Sequence, residues 1–281
     1  AWTWGDALFV TLDPYWYSTN SVDTAYAESQ HPNSNTWLVT HGDPQYFWLK
    51  QTLEQSRAKF KFVFAHHVMG TGRGGIEEAV QYEWGGQNVG GTWGFTTNRP
   101  NWPLTIHQLF ISNNVTIFFQ GHDHLFVRQQ LDGVTYQELP NPADPNYSLF
   151  NSDAYTNFIY KTNNTGYTRV TVSPTNVKVE YVRTILPTNE LPNGITNNAP
   201  LGVTNGQVAY GYSIPTAGLL TSAIAANNMA LQWSGNSELN YVVQWSSDLM
   251  TWSNVFVGQT NTWTDTNPVS TMQKKFYRLM W

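Results

Sequence analysis

The stretch that decides the fold is Thr116-Ile117-Phe118-Phe119-Gln120-Gly121-His122-Asp123-His124. Its mainly apolar first half predicts a buried strand, and histidines follow directly after the strand. Because side chains alternate along an extended segment, we expect His122 and His124 to point to the same side, while Gly121 lets backbone or ligand come close. Imidazoles delivered to one place predict a metal site.

A second predicted strand ends in the same way. Phe60-Lys61-Phe62-Val63-Phe64-Ala65 runs directly into His66 and His67. Strand parity alone does not choose between these adjacent side chains, so we take His66 as the ligand and keep His67 as the alternative. Helices are predicted from Pro44 to Leu53 and from Trp102 to Ile111, and their alternation with strands indicates helices packed on a sheet.

The predicted first strand, Ala7 to Leu12, ends at Asp13, a position where functional groups collect in layered folds. The following helix is expected to start with Asp43 as its N-cap residue and Pro44 in its first turn. A long glycine-rich connection from Gly70 to Pro100 separates the two histidine-bearing strands. Connections of this length inside a domain are usually functional, so we expect an active-site rim here.

Composition limits the classes of function. The chain has 281 residues, 41% hydrophobic and 15% aromatic, which allows one large domain or a large and a small one. A net charge of -5 gives no basic field for a nucleic-acid backbone, so no nucleic-acid partner is expected. No apolar run approaches the roughly 20 residues that cross a bilayer, and no membrane partner is expected. Because cysteine is absent, nitrogen and oxygen atoms must hold any transition metal.

The rest of the chain is predicted to be rich in strands. Four segments alternate in the manner of hairpin strands, with a tight turn at Asp132-Gly133 between the first two; they are Val127 to Leu131, Val134 to Leu139, Tyr167 to Val172 and Val177 to Val182. Residues 186–215 are dense in Pro, Asn and Gly and indicate a linker-like excursion. Short alternating segments after Gly218 predict a small all-β sandwich. The expected organisation is therefore one domain over residues 1–215 and an accessory domain over residues 218–281.

Phe64-Ala65-His66-His67, followed by Phe119-Gln120-Gly121-His122-Asp123-His124, resembles the last two signature blocks of the calcineurin-like metallophosphoesterase superfamily, which includes purple acid phosphatases and many phosphodiesterases. The resemblance covers residues 1–215 and implies an α+β fold, a layered α-β-β-α domain. The Gly-Arg-Gly-Gly and Glu-Trp-Gly-Gly insertion resembles an exported bacterial subgroup, which implies a secreted or periplasmic protein. The tail is similar to immunoglobulin-like modules of secreted bacterial enzymes.

The resemblance implies hydrolysis of phosphate mono- or diesters by attack of a metal-bound hydroxide, with two ions of zinc, manganese or iron. Carried over by motif, His66 and His122 would hold one metal and His124 the other. Arg73 and Arg99 are candidate phosphate contacts, because guanidinium offers a fork for phosphate oxygens.

The superfamily's earlier blocks, Asp-x-His, Gly-Asp-x-x-Asp and Gly-Asn-His, have no counterpart in Ala1 to Asp13. We therefore expect the N-terminal half of the domain to be missing and the activity of this chain to be compromised, with perhaps one ion held by the three histidines. The alternative is that Asp13, Asp43 or Asp123 replaces the absent carboxylates. A missing N-terminal half would leave an exposed sheet edge that favours self-association.

A rival interpretation comes from the 13 tryptophans, which suit a carbohydrate-binding or polysaccharide-acting protein. Trp233 and Trp245 fall on the alternating apolar face expected of a sandwich core, and Trp252 and Trp263 are the better candidates for exposed sugar platforms. A third interpretation is an inert remnant without turnover.

Other polar residues are expected to be structural or solvated. These are His31 and His41 in polar loops, His107 on a helix face, and the acidic residues Glu77, Glu78 and Glu83, for which a solvated helix start is favoured over a glycosidase pair.

Overall fold

The computed structural model describes residues 1–18, 36–66, 68, 73–88, 90–149, 151–186, 203–216, 221–233, 241–248, 250–267 and 275–280. His31, His67 and Gly70 lie outside the described residues, as do residues 187–202 of the linker predicted over residues 186–215. The last part of that predicted linker, Val208–Pro215, is a strand.

Strands dominate the chain, and a seven-stranded sheet forms the centre of its larger unit, residues 1–172 and 178–212. The sheet has the order β1-β2-β3-β4-β6-β5-β7. Its strands are β1 (Trp2–Trp4), β2 (Ala7–Thr11), β3 (Phe60–Phe64), β4 (Ile117–Gln120), β5 (Phe126–Leu131), β6 (Val134–Glu138) and β7 (Tyr160–Thr162). Strands β2, β3, β4 and β6 are parallel, so their carboxyl ends meet at one edge.

Helices pack on one face of this sheet. They are α1 (Gly42–Gln55), α2 (Tyr82–Gly85), α3 (Phe95–Asn98) and α4 (Ile106–Ser112). Leu49 of α1 and Leu109 of α4 share a buried apolar cluster with Val10, Val63 and Phe118 of the strands. The prediction of helices on a sheet is therefore confirmed.

Both predicted helix starts are wrong by a few residues. His41, not Asp43, occupies the N-cap position of α1 and makes no capping side-chain bond. Helix α4 begins at Ile106 rather than Trp102, because the Thr105 side chain accepts the Gln108 N–H and Gln108 bonds back to the Thr105 N–H. This capping box fixes the helix start.

A separate three-stranded sheet has the order β10-β9-β8. It is formed by β8 (Gly166–Ser173), β9 (Asn176–Arg183) and β10 (Val208–Pro215), and the first two match the predicted hairpin.

The smaller unit comprises residues 173–177 and 213–281. Its three-stranded sheets have the orders β11-β12-β15 and β14-β13-β16. The strands are β11 (Thr221–Ala225), β12 (Asn228–Gln232), β13 (Tyr241–Ser246), β14 (Ser253–Gly258), β15 (Thr262–Asp265) and β16 (Phe276–Met280). Leu231, Trp233, Tyr241 and Val243 form a buried core shared by both sheets.

Within the described ranges, no helix is long and apolar enough to cross a membrane.

Candidate metal centre

Two histidines meet at the carboxyl edge of the central sheet. His66 follows β3 and His122 follows β4, and the two strands are parallel neighbours. The pairing continues past the strand ends, since the Ala65 N–H donates to the Phe119 carbonyl at 3.1 Å and the Gly121 N–H donates to the His66 carbonyl at 3.0 Å. The backbone ladder thus brings the imidazoles together.

The nitrogen atoms of this pair have the spacing of co-ligands. His66 Nε2 and His122 Nδ1 lie 3.2 Å apart, and the rings meet edge to face with centroids 5.1 Å apart. Two nitrogens bound to one tetrahedral zinc at about 2.0–2.1 Å are separated by about 3.3 Å, so the pair fits a shared ion. The same distance allows a hydrogen bond between a protonated and an unprotonated ring nitrogen.

His124 has a different place from the one that strand parity predicts. Strand β4 ends at Gln120, and His124 is exposed with a left-handed φ of 57°. His122 and His124 therefore lie beyond the strand, where side chains need not alternate between its two faces. Among the residues that the structure describes, no group of three or more His, Cys, Asp or Glu side chains is arranged to hold one ion. The structure brings His66 and His122 together without adding His124 to a three-ligand set.

Asp123, between the two histidines, fixes the connection that carries them. Its carboxylate is 1% exposed and accepts from Arg73 Nη1 at 3.2 Å, the Gly74 N–H at 2.9 Å and the Tyr155 hydroxyl at 2.8 Å. A buried carboxylate with this many donors is held in one orientation. Asp123 is thus occupied by protein donors, and Arg73 is anchored beside His122 with its side chain 34% exposed.

Sequence reasoning missed the polar residues beneath Asp123. Glu138 ends β6 with 1% exposure, and its Oε1 accepts the Asp123 N–H at 2.8 Å. Gln120 donates through Nε2 to the Gly74 carbonyl and to the Tyr155 oxygen, both at 3.1 Å. Because β6 lies beside β4 in the parallel part of the sheet, its end belongs to the same edge. A polar residue at the end of an otherwise apolar strand was the available signal.

The electrostatics of the site follow from burial. Burial lowers the pKa of His122, against the opposing effect of Asp123, so the ring is neutral and able to ligate at neutral pH. Burial, and then the nearby charge of Asp123, raise the pKa of Glu138 to about 8. Burial and the charges of both carboxyl groups raise the pKa of Tyr155 well above its ordinary value.

The other aspartates proposed as ligands have local roles. Asp13 is exposed at the end of β2, and its Oδ1 accepts the Tyr15 N–H at 2.9 Å. Asp43 accepts from Trp102 Nε1 at 2.7 Å, which ties α1 to the segment before α4.

Arg99 has three protein acceptors. Its guanidinium pairs with Glu83 and donates to the Asn98 and Trp37 carbonyls at 2.7 and 2.6 Å. Glu83 is fully buried and also binds the backbone N–H and the Nδ1 atom of His41. The expectation of a solvated Glu83 is therefore wrong, because this carboxylate joins three segments in the interior.

Two further predictions concern histidine and tryptophan. His107 is buried and forms a hydrogen bond with the Tyr136 hydroxyl at 2.8 Å, which agrees with a structural role.

Trp263 packs against the core of the smaller unit, and the Arg278 guanidinium lies 4.3 Å from the Trp252 ring centroid. Both indole rings proposed as sugar platforms are thus partly covered.

No family model and no curated protein matches the chain. Its structure is similar to solved structures at low identity, among them the three described next. GAP50, described as the anchor in the inner membrane complex of Plasmodium, has 11% identity and a TM-score of 0.40 over 75% of this chain and 49% of its own. PhoD has 14% identity and a TM-score of 0.42 over 91% and 43%. Purple acid phosphatase PPD1 from yellow lupin seeds has 16% identity and a TM-score of 0.34 over 61% and 28%. The chain spans less than half the length of each.

Proposed function

We propose that this chain contributes to a metal-dependent site that hydrolyses phosphate mono- or diesters. The observation that carries the proposal is the 3.2 Å spacing of His66 Nε2 and His122 Nδ1 at the carboxyl edge of parallel strands. This edge is where ligands bind in sheets of this kind.

The residues take the following roles in the proposal. His66 and His122 hold one ion of zinc, manganese or iron, and His124 is offered to a second ion, with His67 and Asp13 as less favoured ligands. A bound ion would act as a Lewis acid toward phosphoryl oxygens and lower the pKa of a coordinated water.

Arg73 is the phosphate contact that we favour. Its guanidinium lies beside His122, where its charge acts on the imidazole, and about a third of the side chain is open to solvent. Nη1 donates to Asp123, and the planar fork of a guanidinium matches the geometry of phosphate oxygens. Arg99 is less suited, because Glu83 and two carbonyls already take its donors.

Three wider expectations remain part of the proposal. They are the layered α-β-β-α arrangement, an immunoglobulin-like character of the smaller unit, and a secreted or periplasmic location.

Isothermal titration with zinc or manganese chloride tests the metal site directly. We expect binding of an ion by the full chain, and a loss of at least tenfold in affinity in His66→Ala and His122→Ala. His107→Gln is the matched control, because it removes a histidine that bonds Tyr136 and Asp132 instead of the pair.

Hydrolysis of p-nitrophenyl phosphate and bis(p-nitrophenyl) phosphate tests the chemistry. Turnover that requires the ion, stops with chelator and falls in His122→Ala while His107→Gln retains it would support the proposal. Turnover that is unchanged by the chelator and by His122→Ala would contradict the proposal. Equal zinc affinity in the native chain and in all variants would also contradict it.

A further inference from the structure

A row of stacked aromatic rings crosses the central sheet. Trp2 stacks on Phe9 with centroids 5.1 Å apart, Phe9 lies 6.4 Å from Phe64, and Phe64 lies 5.0 Å from Phe119. The interplanar angles are 7°, 11° and 13°, so the rings are nearly parallel. The four residues belong to β1, β2, β3 and β4 in turn, and the row therefore spans four adjacent strands.

The row lies on the face opposite the helices. Val10, Val63 and Phe118 alternate with the ring-bearing positions and belong to the apolar cluster that α1 and α4 cover. Side chains of successive strand residues point to opposite faces, so Phe64 and Phe119 point away from those helices.

On this face Phe9, Phe64 and Phe119 of the row border a groove with a volume of about 260 Å³. Phe62 and Phe119 are buried at its base, whereas Phe9 and Phe64 are half-buried. Tyr167 and Val170 of β8 line the groove and are 46% and 37% exposed. Small-molecule pockets typically measure roughly 300–1,000 Å³, so this groove suits a group of one or two rings rather than a large ligand.

One end of the groove lies beside the segment that carries His122. Leu139 lines the groove, and its Cβ is 3.7 Å from the place that a Cβ on Gly121 would occupy. The ladder hydrogen bonds of the Ala65 N–H and the His66 carbonyl join the segments that follow β3 and β4. Ala65 packs against the apolar cluster that the helices cover, so alternation places the next residue, His66, toward the opposite face, where the groove lies.

We propose that this groove binds an aryl or similarly flat apolar group, which on the proposed function is the ester group next to the phosphate. The rings of the row stack on one another, so they present their edges to the groove, and a flat aryl group lying over them makes the edge-to-face contacts that aromatic pairs favour. The preferred substrates are then aryl phosphate esters, with the ring in the groove and the phosphate at the histidine pair.

Binding of 2-naphthol, followed by its own fluorescence, tests the groove without any chemistry. Val170→Trp places a large side chain in the groove. Val172→Trp is the matched control, because Val172 lies on the same strand, is also 37% exposed and does not line the groove. We expect Val170→Trp to weaken naphthol binding at least about tenfold, and Val172→Trp to leave it within about twofold. Circular dichroism confirms that both variants fold.

Hydrolysis separates the groove from the proposed function. With 2-naphthyl phosphate, kcat/KM falls in Val170→Trp, and with ethyl phosphate it does not. Naphthol binding that is absent in the native chain, or equal in both variants, overturns the groove proposal. Naphthol binding that depends on Val170, without hydrolysis of either ester, supports the groove and overturns the proposed hydrolase.

Discussion

Burial of the Glu138 carboxyl group links the stability of the protein to pH. Glu138 Oε2 and Gln120 Oε1 are both buried acceptors without a donor in the described structure. Gln120 lies within hydrogen-bonding range of the Glu138 carboxyl group. A proton on that carboxyl group therefore supplies the donor that these two oxygens lack. The raised pKa of about 8 agrees with a carboxyl group that is neutral at pH 7.

The first prediction concerns Glu138→Gln. The folded state keeps a proton that the unfolded state releases above about pH 4.5, so rising pH favours unfolding. Between about pH 4.5 and 8 this group should reduce the free energy of unfolding by on the order of 1.4 kcal/mol per pH unit. Glu138→Gln should lose that slope, as measured by urea denaturation at several pH values.

Glu77→Gln serves as its control. Side-chain and backbone donors outweigh burial and lower the pKa of Glu77, so its stabilising effect is lost only as pH falls through that lowered value. Replacing it should change stability without changing the slope between pH 5 and 8. Identical slopes in native protein and Glu138→Gln would refute the protonated Glu138.

At the scale of elements, the connection between β4 and β5 is fixed by a buried tyrosine, Tyr155. Tyr155 donates to Asp123 and accepts from Gln120, and it is 1% exposed. Because Asp123 lies next to His122, we regard Tyr155 as a positioning residue for the proposed metal site.

The second prediction is that Tyr155→Phe costs about 1–2 kcal/mol of stability and lowers zinc affinity about tenfold. Tyr147→Phe is the matched control, since Tyr147 is equally buried and its hydroxyl accepts the Leu186 N–H. It should cost similar stability and leave zinc affinity unchanged. Equal effects of both variants on zinc affinity would show that Tyr155 has no positioning role.

The elements around the site could be predicted where the pattern is local. The apolar runs that end before Asp13, His66 and Gly121 correspond to β2, β3 and β4. They could be predicted because strands buried on both faces have nearly continuous hydrophobic sequences. The insertion of β6 between β4 and β5 is set by long-range pairing, which no local pattern records.

The same limit applies to the site itself. Adjacency of His66 and His122 follows from two strand ends in one parallel sheet. The expectation that these two share an ion came from the resemblance of their motifs, not from strand pairing. The left-handed turn at His124 and the burial of Glu83 depend on tertiary contacts. Propensity and parity rules do not contain such contacts.

At the scale of the whole molecule, the two units have separate apolar cores. Val63 belongs to the core of the larger unit and Val243 to that of the smaller, and both are 0% exposed. Separate hydrophobic cores can unfold as separate cooperative units.

The third prediction uses these valines as a matched pair. Val63→Ala and Val243→Ala should each cost about 1–3 kcal/mol, and each should shift a different transition in calorimetry. A single transition lowered equally by both variants would argue for one cooperative unit.

The most direct test of the metal site is anomalous diffraction from crystals soaked in zinc chloride, with data on both sides of the zinc absorption edge. The account predicts a peak about 2.0–2.1 Å from both His66 Nε2 and His122 Nδ1. A hydrogen-bonded histidine pair without zinc, or zinc bound only elsewhere, would contradict it.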